Sequence, residues 1–157
     1  MCPALQLAHS VPLRASGFME VEQGRSWIAR TLAAMLGLPK TGFKVPVTID
    51  VSERQGRIRW QRRFGPQEFV STQWFEGPIL LERRGPATFA FDLDVAEQEV
   101  RYRQRWLRVA GVPCPPFLGA QITGLVKSAG PGWFVSVVIA MSGVGVLCRY
   151  SGEMRSD

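Results

Sequence analysis

Two charged side chains and an amide sit where strand alternation puts apolar residues. Over Arg57 to Phe64 one face carries Ile58, Trp60, Arg62 and Phe64, and the other carries Arg57, Arg59, Gln61 and Arg63. Arg62 therefore shares the apolar face. Over Ile79 to Arg84 the residues Leu80, Glu82 and Arg84 share one face. Over Val100 to Arg108 the face with Val100, Tyr102, Gln104 and Trp106 reads as inward, and Arg101, Arg103 and Arg105 point out. Arg62, Glu82 and Gln104 then form a candidate polar cluster in a concavity walled by Trp60, Tyr102 and Trp106. A buried guanidinium needs a carboxylate, and Glu82 is the partner the pattern offers. Such a pocket would hold an apolar small-molecule ligand by its walls and orient a carboxylate, phosphate or carbonyl group through Arg62. The plainer reading of the same six residues is an ion pair bridging two strands of a filled core, and pattern alone favours it.

Other chemistry is poorly represented. His9 is the only histidine and lies in the lead-in near Pro12, so a Ser-His-Asp or Cys-His arrangement has little to build on. Asp92 and Asp94 share a strand face but close that strand before a polar turn, which suits solvated carboxylates. Neither GxGxxG nor GxxxxGK[ST] occurs. Cys2, Cys114 and Cys148 are widely spaced with no CxxC, which fits neither a disulfide framework nor a thiolate zinc site. We therefore expect no catalytic residues, no cofactor and no metal. The enzyme alternative is a small enzyme acting on an apolar acid, with Arg62 orienting substrate and Glu82 as acid or base.

These residues need elements to hold them. GRSWIARTLAAMLGLP places Trp27, Ile28, Thr31, Leu32, Met35 and Leu36 at three- and four-residue intervals, with Gly37 and Pro39 as the stop, which predicts one helix over 25–36. Its wide apolar face should lie against a sheet. After Gly42 the period becomes two. Strands are expected at Phe43–Val51, Arg57–Phe64, Glu68–Phe75, Ile79–Arg83, Ala87–Asp94 and Val100–Val109, with Gly or Pro in most of the gaps. Pro113, Pro115 and Pro116 break any regular ladder in GVPCPPFLG. Ala120–Val126, Trp133–Met141 and Val144–Tyr150 complete the set. Short links favour antiparallel neighbours. The expected fold is mainly β: a strongly curved antiparallel sheet or barrel-like meander of about eight to nine strands, with one N-terminal helix. The organisation is a single domain over 1–157, with an irregular lead-in over 1–15, the helix, and antiparallel strands over 43–151.

Composition bounds the partners. The 157 residues carry a net charge of +6, and 16 of the 19 basic residues are arginine, a bias that suits phosphate or carboxylate but also follows from a G- and C-rich genome. Arg57, Arg59, Arg63, Arg101, Arg103 and Arg105 make a basic outer stripe if their strands are neighbours. Single-strand binding wants aromatics on that same face, and parity places Trp60, Tyr102 and Trp106 on the opposite one, so a nucleic-acid partner is not expected. Ser128 to Cys148 carries no charge, but Gly130, Pro131, Gly132, Gly143 and Gly145 interrupt it, which favours a strand pair over a membrane span. MCPALQLAHSVPL lacks the basic start and continuous apolar core of a secretory signal, and the cysteine usage suits a reduced, cytoplasmic setting.

The ordered string GRSWIARTLAAMLGLP, VPVTIDV, WQRRFG (Trp60 to Gly65), LLERRGP (Leu80 to Pro86), Tyr102 to Trp106, GVPCP, GWF and RYSG resembles a bacterial domain of unknown function. In that family the domain is often fused behind a saccharopine dehydrogenase-like or other NAD(P)-binding domain. The resemblance runs from about Leu5 to Gly152. It implies an accessory domain with no established catalytic residues, and a separate NAD(P)-binding oxidoreductase as a partner, since this chain has no dinucleotide fingerprint. The chain departs from the family pattern at Lys127, where an acidic residue is expected. It also departs over Phe134 to Ile139, where a more polar strand is expected, and at Ser142, where a proline is.

Overall fold

The computed structural model describes residues 11–157. Cys2, His9 and most of the expected lead-in lie outside them. The chain runs β1 (Leu13–Gln23), α1 (Trp27–Met35), β2 (Gly42–Arg54), β3 (Arg57–Phe64), β4 (Gln67–Glu76), β5 (Ile79–Arg84), β6 (Ala87–Val95), β7 (Glu99–Val109), β8 (Val112–Cys114), β9 (Ala120–Ala129), β10 (Gly132–Met141) and β11 (Gly145–Ser156). All neighbours are antiparallel, and pairing of β6 with β7 closes the sheet into a ten-stranded barrel with β8 outside the ring. The strands expected after Gly42 are present within a few residues. Two corrections concern the rest. A full strand, β1, begins at the end of the expected lead-in and runs on toward the helix, with Leu13, Ala15, Met19 and Val21 alternating inward. The proline-rich corner still forms β8, three residues paired with the end of β7.

The helix is held by its ends. The Ser26 side chain caps the first turn by accepting from the Ala29 amide at 3.0 Å. Gly37, at φ +62°, ends it: its amide donates to Ala34 and that of Leu38 to Ala33, the paired bonds of a Schellman stop. The buried face is the small one, Ala29 and Ala33, whereas Trp27 and Met35 stay 73% and 78% exposed. The expectation of a wide apolar contact face is thus corrected. Close approach to β1 and β11 selects alanine, and the bulky residues turn outward.

Residues 37–40 then cross one end of the barrel. The Pro39 carbonyl accepts from Gln23 of β1 at 2.9 Å and lies 3.7 Å from Cys148 Sγ of β11, while the Gly37 carbonyl accepts from Arg84 of β5 at 3.3 Å. Strands β5 and β11 are five steps apart in a ring of ten, so the segment spans its width.

The interior is packed on one side. Inward residues of β1, β2, β10 and β11, among them Met19, Val47, Met154 and Trp133, are almost wholly buried. The seam there is tight, since a Cβ on Gly152 would collide with the Phe18 carbonyl of β1. Gly152→Ala should therefore destabilise the barrel by about 1–3 kcal/mol. The expected signature is a lower urea midpoint with an unchanged slope; an unaltered midpoint would show that the seam has room.

Candidate functional site

The opposite half of the interior is where the expected polar cluster lies. Arg62 of β3 stands beside Phe69 of β4, Trp60 beside Ser71, Gln73 beside Glu82 of β5, and Glu82 beside Phe89 of β6. Arg62 Nη1 donates to Ser71 Oγ at 2.9 Å and to Glu82 Oε1 at 3.2 Å. Ser71 also donates to Oε1, and Gln73 Nε2 donates to Oε2 at 2.9 Å. The pairing of Arg62 with Glu82 inferred from alternation is thus present, with two partners, Ser71 and Gln73, that alternation did not single out. Strand β4 alternates polar residues on both faces, so its pattern carries no hint of which ones face in.

The pair does not sit in a filled core. Its side chains keep 22% and 20% of their surface accessible although both point inward. Trp60, Phe89, Tyr102, Ile122, Val126 and Tyr150 on the same side are also only partly buried. Water thus reaches the interior beside the pair, while Phe64, Phe69, Leu80, Phe91 and Leu107 of β3 to β7 are buried.

What faces this space is almost entirely donor. Both hydrogen bonds of Arg62 leave from Nη1, so Nε and Nη2 have no partner among the described residues. The guanidinium lies 4.9 Å from the Trp60 ring, whose Nε1 is buried without an acceptor. No described residue hydrogen-bonds the hydroxyl of Tyr102 or of Tyr150. Arg84, which shares Glu82's face, stacks 4.7 Å from Phe69, gives one bond to the Gly37 carbonyl and has no carboxylate partner. The interior thus holds two guanidinium groups against the single carboxylate of Glu82. Arg84 and Tyr150 escaped the sequence reading; the first was visible in the alternation that selected Glu82, the second was not.

Electrostatics follow from this arrangement. Burial pushes the Glu82 carboxyl up, but the Arg62 charge and the bonds from Ser71, Gln73 and Arg62 outweigh it and hold the pKa below 4.5. Burial lowers the Arg84 pKa. It also raises Tyr102 and takes Tyr150 to about 12, so both phenols stay protonated. Cys148, pushed up to about 11 by burial, is an inert thiol.

Two candidates have other roles. Gln104 faces inward, but its amide accepts from the Ile122 amide at 2.8 Å and donates to the Ala120 carbonyl at 3.0 Å. It stitches β7 to β9 where backbone pairing between them has ended, beyond Arg103↔Thr123. Trp106 is not a wall of the concavity. A bulge opposite Ala90 and Phe91 inserts Arg105, shifts parity by one, and puts Leu107 inside and Trp106 outside.

With the geometry described, comparison with known proteins identifies the family. A family model for a domain of unknown function, DUF4166, matches residues 1–154. The chain belongs to that family. No curated protein matches it. Among solved structures, the DUF4166 chain is similar to a DUF3598-family protein of unknown function from Nostoc punctiforme, with 10% identity and a TM-score of 0.61 over 94% of this chain and 47% of that one. It thus spans about half the length of that relative. It is also similar to the Rv2717c protein of M. tuberculosis, with 10% identity and a TM-score of 0.56 over 100% and 99% of the two chains. A third likeness is a secretary abundant heat soluble (SAHS) protein from Ramazzottius varieornatus, with 8% identity and a TM-score of 0.50 over 94% and 95%. Identities this low show a shared fold. No helix among the described residues is long and apolar enough to cross a membrane.

The ion pair carries a pH signature. A carboxyl whose folded pKa lies below its ordinary 4.5 adds stability above that value and loses it as pH falls through the lowered one. Glu82→Gln should cost toward the lower end of about 3–5 kcal/mol near neutrality, because a fifth of each side chain still meets water. Between about pH 6 and pH 3 the variant should lose less stability than the parent domain. Equal acid losses in both would mean that Glu82 is not held ionised.

Proposed function

We propose that this DUF4166 domain is a non-catalytic binding module that takes an apolar small molecule with an acidic head group inside its barrel. The observation that supports the reading is the imbalance of the interior: free donor edges on Arg62, the unpaired Arg84 and two unbonded phenol hydroxyls, beside walls of Trp60, Phe89, Ile122 and Val126. Carboxylate or phosphate oxygens would satisfy those donors and balance the excess charge, and the apolar walls would cover the remainder of the ligand. Ten strands enclose a wider interior than the eight that side chains fill. Glu82 already accepts from three side chains and stays ionised, which suits holding Arg62 in place better than proton transfer. If the domain works beside an NAD(P)-binding oxidoreductase, the cargo would be an acidic, apolar substrate or product of that enzyme; an adjacent oxidoreductase gene would support the pairing.

Titration with dodecanoate and with dodecanol, followed by melting temperature and tryptophan fluorescence, separates the head group from the chain. The acid should raise the melting temperature and quench Trp60. The alcohol should bind about tenfold or more weakly, as expected for loss of charge-assisted hydrogen bonds. Arg84→Met should weaken the acid and leave the alcohol unchanged. No response to either compound at saturation would overturn the proposal.

A further inference from the structure

The outer wall of the barrel from β3 to β7 carries a second set of unpaired arginines, independent of the interior. Register places Arg59, Thr72, Arg83, Thr88 and Arg108 side by side in one row across five strands. At the usual strand spacing the row is about 19 Å long, with an arginine about every 10 Å. The next row is Trp74, Leu81, Ala90 and Trp106. Leu81 and Ala90 are 3% and 0% exposed although they face outward, each paired directly with one of the two indoles. Each indole carries a guanidinium: Arg57 lies 4.0 Å from the Trp74 ring and Arg108 lies 4.6 Å from Trp106.

None of Arg57, Arg59, Arg83 or Arg108 has a carboxylate partner among the described residues. The acidic neighbours Glu68 and Asp92 are taken by Arg63 and Arg105, and Glu76 accepts from Trp74 Nε1 at 3.1 Å. The wall is also not smooth. The turns at Gly85-Pro86 and Ala110-Gly111 are joined by the Ala110 amide donating to the Pro86 carbonyl at 2.8 Å. They border a groove of about 820 Å³ that contains Arg57, Thr72, Trp74, Arg83 and Thr88.

We infer that this face binds single-stranded nucleic acid. Arginines at regular intervals meet a run of phosphates, threonine hydroxyls donate between them, and guanidinium planes seated on indoles present stacking surfaces for unpaired bases. A duplex would need a helix or ribbon raised to enter its groove, and this wall has none. The sequence argued against such a partner because parity put Trp60, Tyr102 and Trp106 on the other face. Trp60 and Tyr102 do face inward, but the bulge at Arg105 turns Trp106 outward, and Trp74 adds a second indole on the same side.

Anisotropy of the full chain with a labelled oligothymidylate of about twelve residues tests the inference. Binding at low salt should weaken with a slope of log K against log salt of about −3, near 0.7 for each of four arginines. Arg83→Gln/Arg108→Gln, at two exposed positions, should reduce the slope by about 1.4 without lowering the melting temperature. An abasic oligomer of equal length should bind about tenfold more weakly. Absence of binding at low salt, an unchanged slope in the variant, or equal affinity for the abasic strand would each overturn the assignment.

Discussion

Ten strands closed on themselves enclose more width than aliphatic side chains can fill, and the rest of the molecule answers that excess. One half is solved by packing: Met19, Met154, Trp133 and their neighbours fill the space over β1, β2, β10 and β11. The cost of that tight side is paid in glycine, because β11 runs so close to β1 that only a residue without a side chain fits at 152. One end is solved by the segment after α1, which reaches from β11 to β5. Around Arg62 and Glu82 the interior stays reachable by water, and this is where charged groups can exist inside a barrel at all. Arg62 and Glu82 pair there, yet both keep contact with water, which reduces the desolvation that a sealed interior would impose.

The Glu82 cluster is best understood as a support for Arg62. Its two oxygens accept from Ser71, Gln73 and one nitrogen of Arg62, so both are engaged. Arg62 by contrast is held through a single nitrogen, and its Nε and Nη2 have no partner among the described residues. Arg84 adds a second positive charge with no ion-pair partner among the described residues. A core built only for stability would match the second guanidinium with a second carboxylate or replace it with an apolar residue. The mismatch is the observation on which the proposed binding role rests.

Much of this was legible in the sequence, and the failures have specific causes. The alternation of β3 and β5 placed Arg62 and Glu82 together correctly, because both strands are regular over those residues. Strand β1 is hard to read from the pattern although Leu13, Ala15, Met19 and Val21 alternate, since Gly17 interrupts the apolar series and Pro12 precedes it. The helix face was misjudged because close packing against β1 and β11 favours small side chains over large ones, an outcome that depends on distance between elements and not on periodicity. Gln104 was rightly placed inside, but its commitment to the β9 backbone depends on where β7 and β9 part, which no local pattern reveals.

The bulge at Arg105 links the two faces of the wall. Without it, regular alternation would keep Trp106 in line with Tyr102 and Gln104, and an indole would stand inside the barrel where Leu107 now does. Inserting one residue moves that volume outside and brings Leu107 in, a smaller side chain against Phe89. The same shift seats Trp106 beside Arg108 and next to Ala90, completing the outer row that begins at Trp74. A bulge is a local loss of one ladder step, but here its consequences on the two faces are complementary. It keeps an indole out of the interior and adds one to the aromatic and cationic exterior, so substitutions that restore regular pairing at 105 would be felt on both.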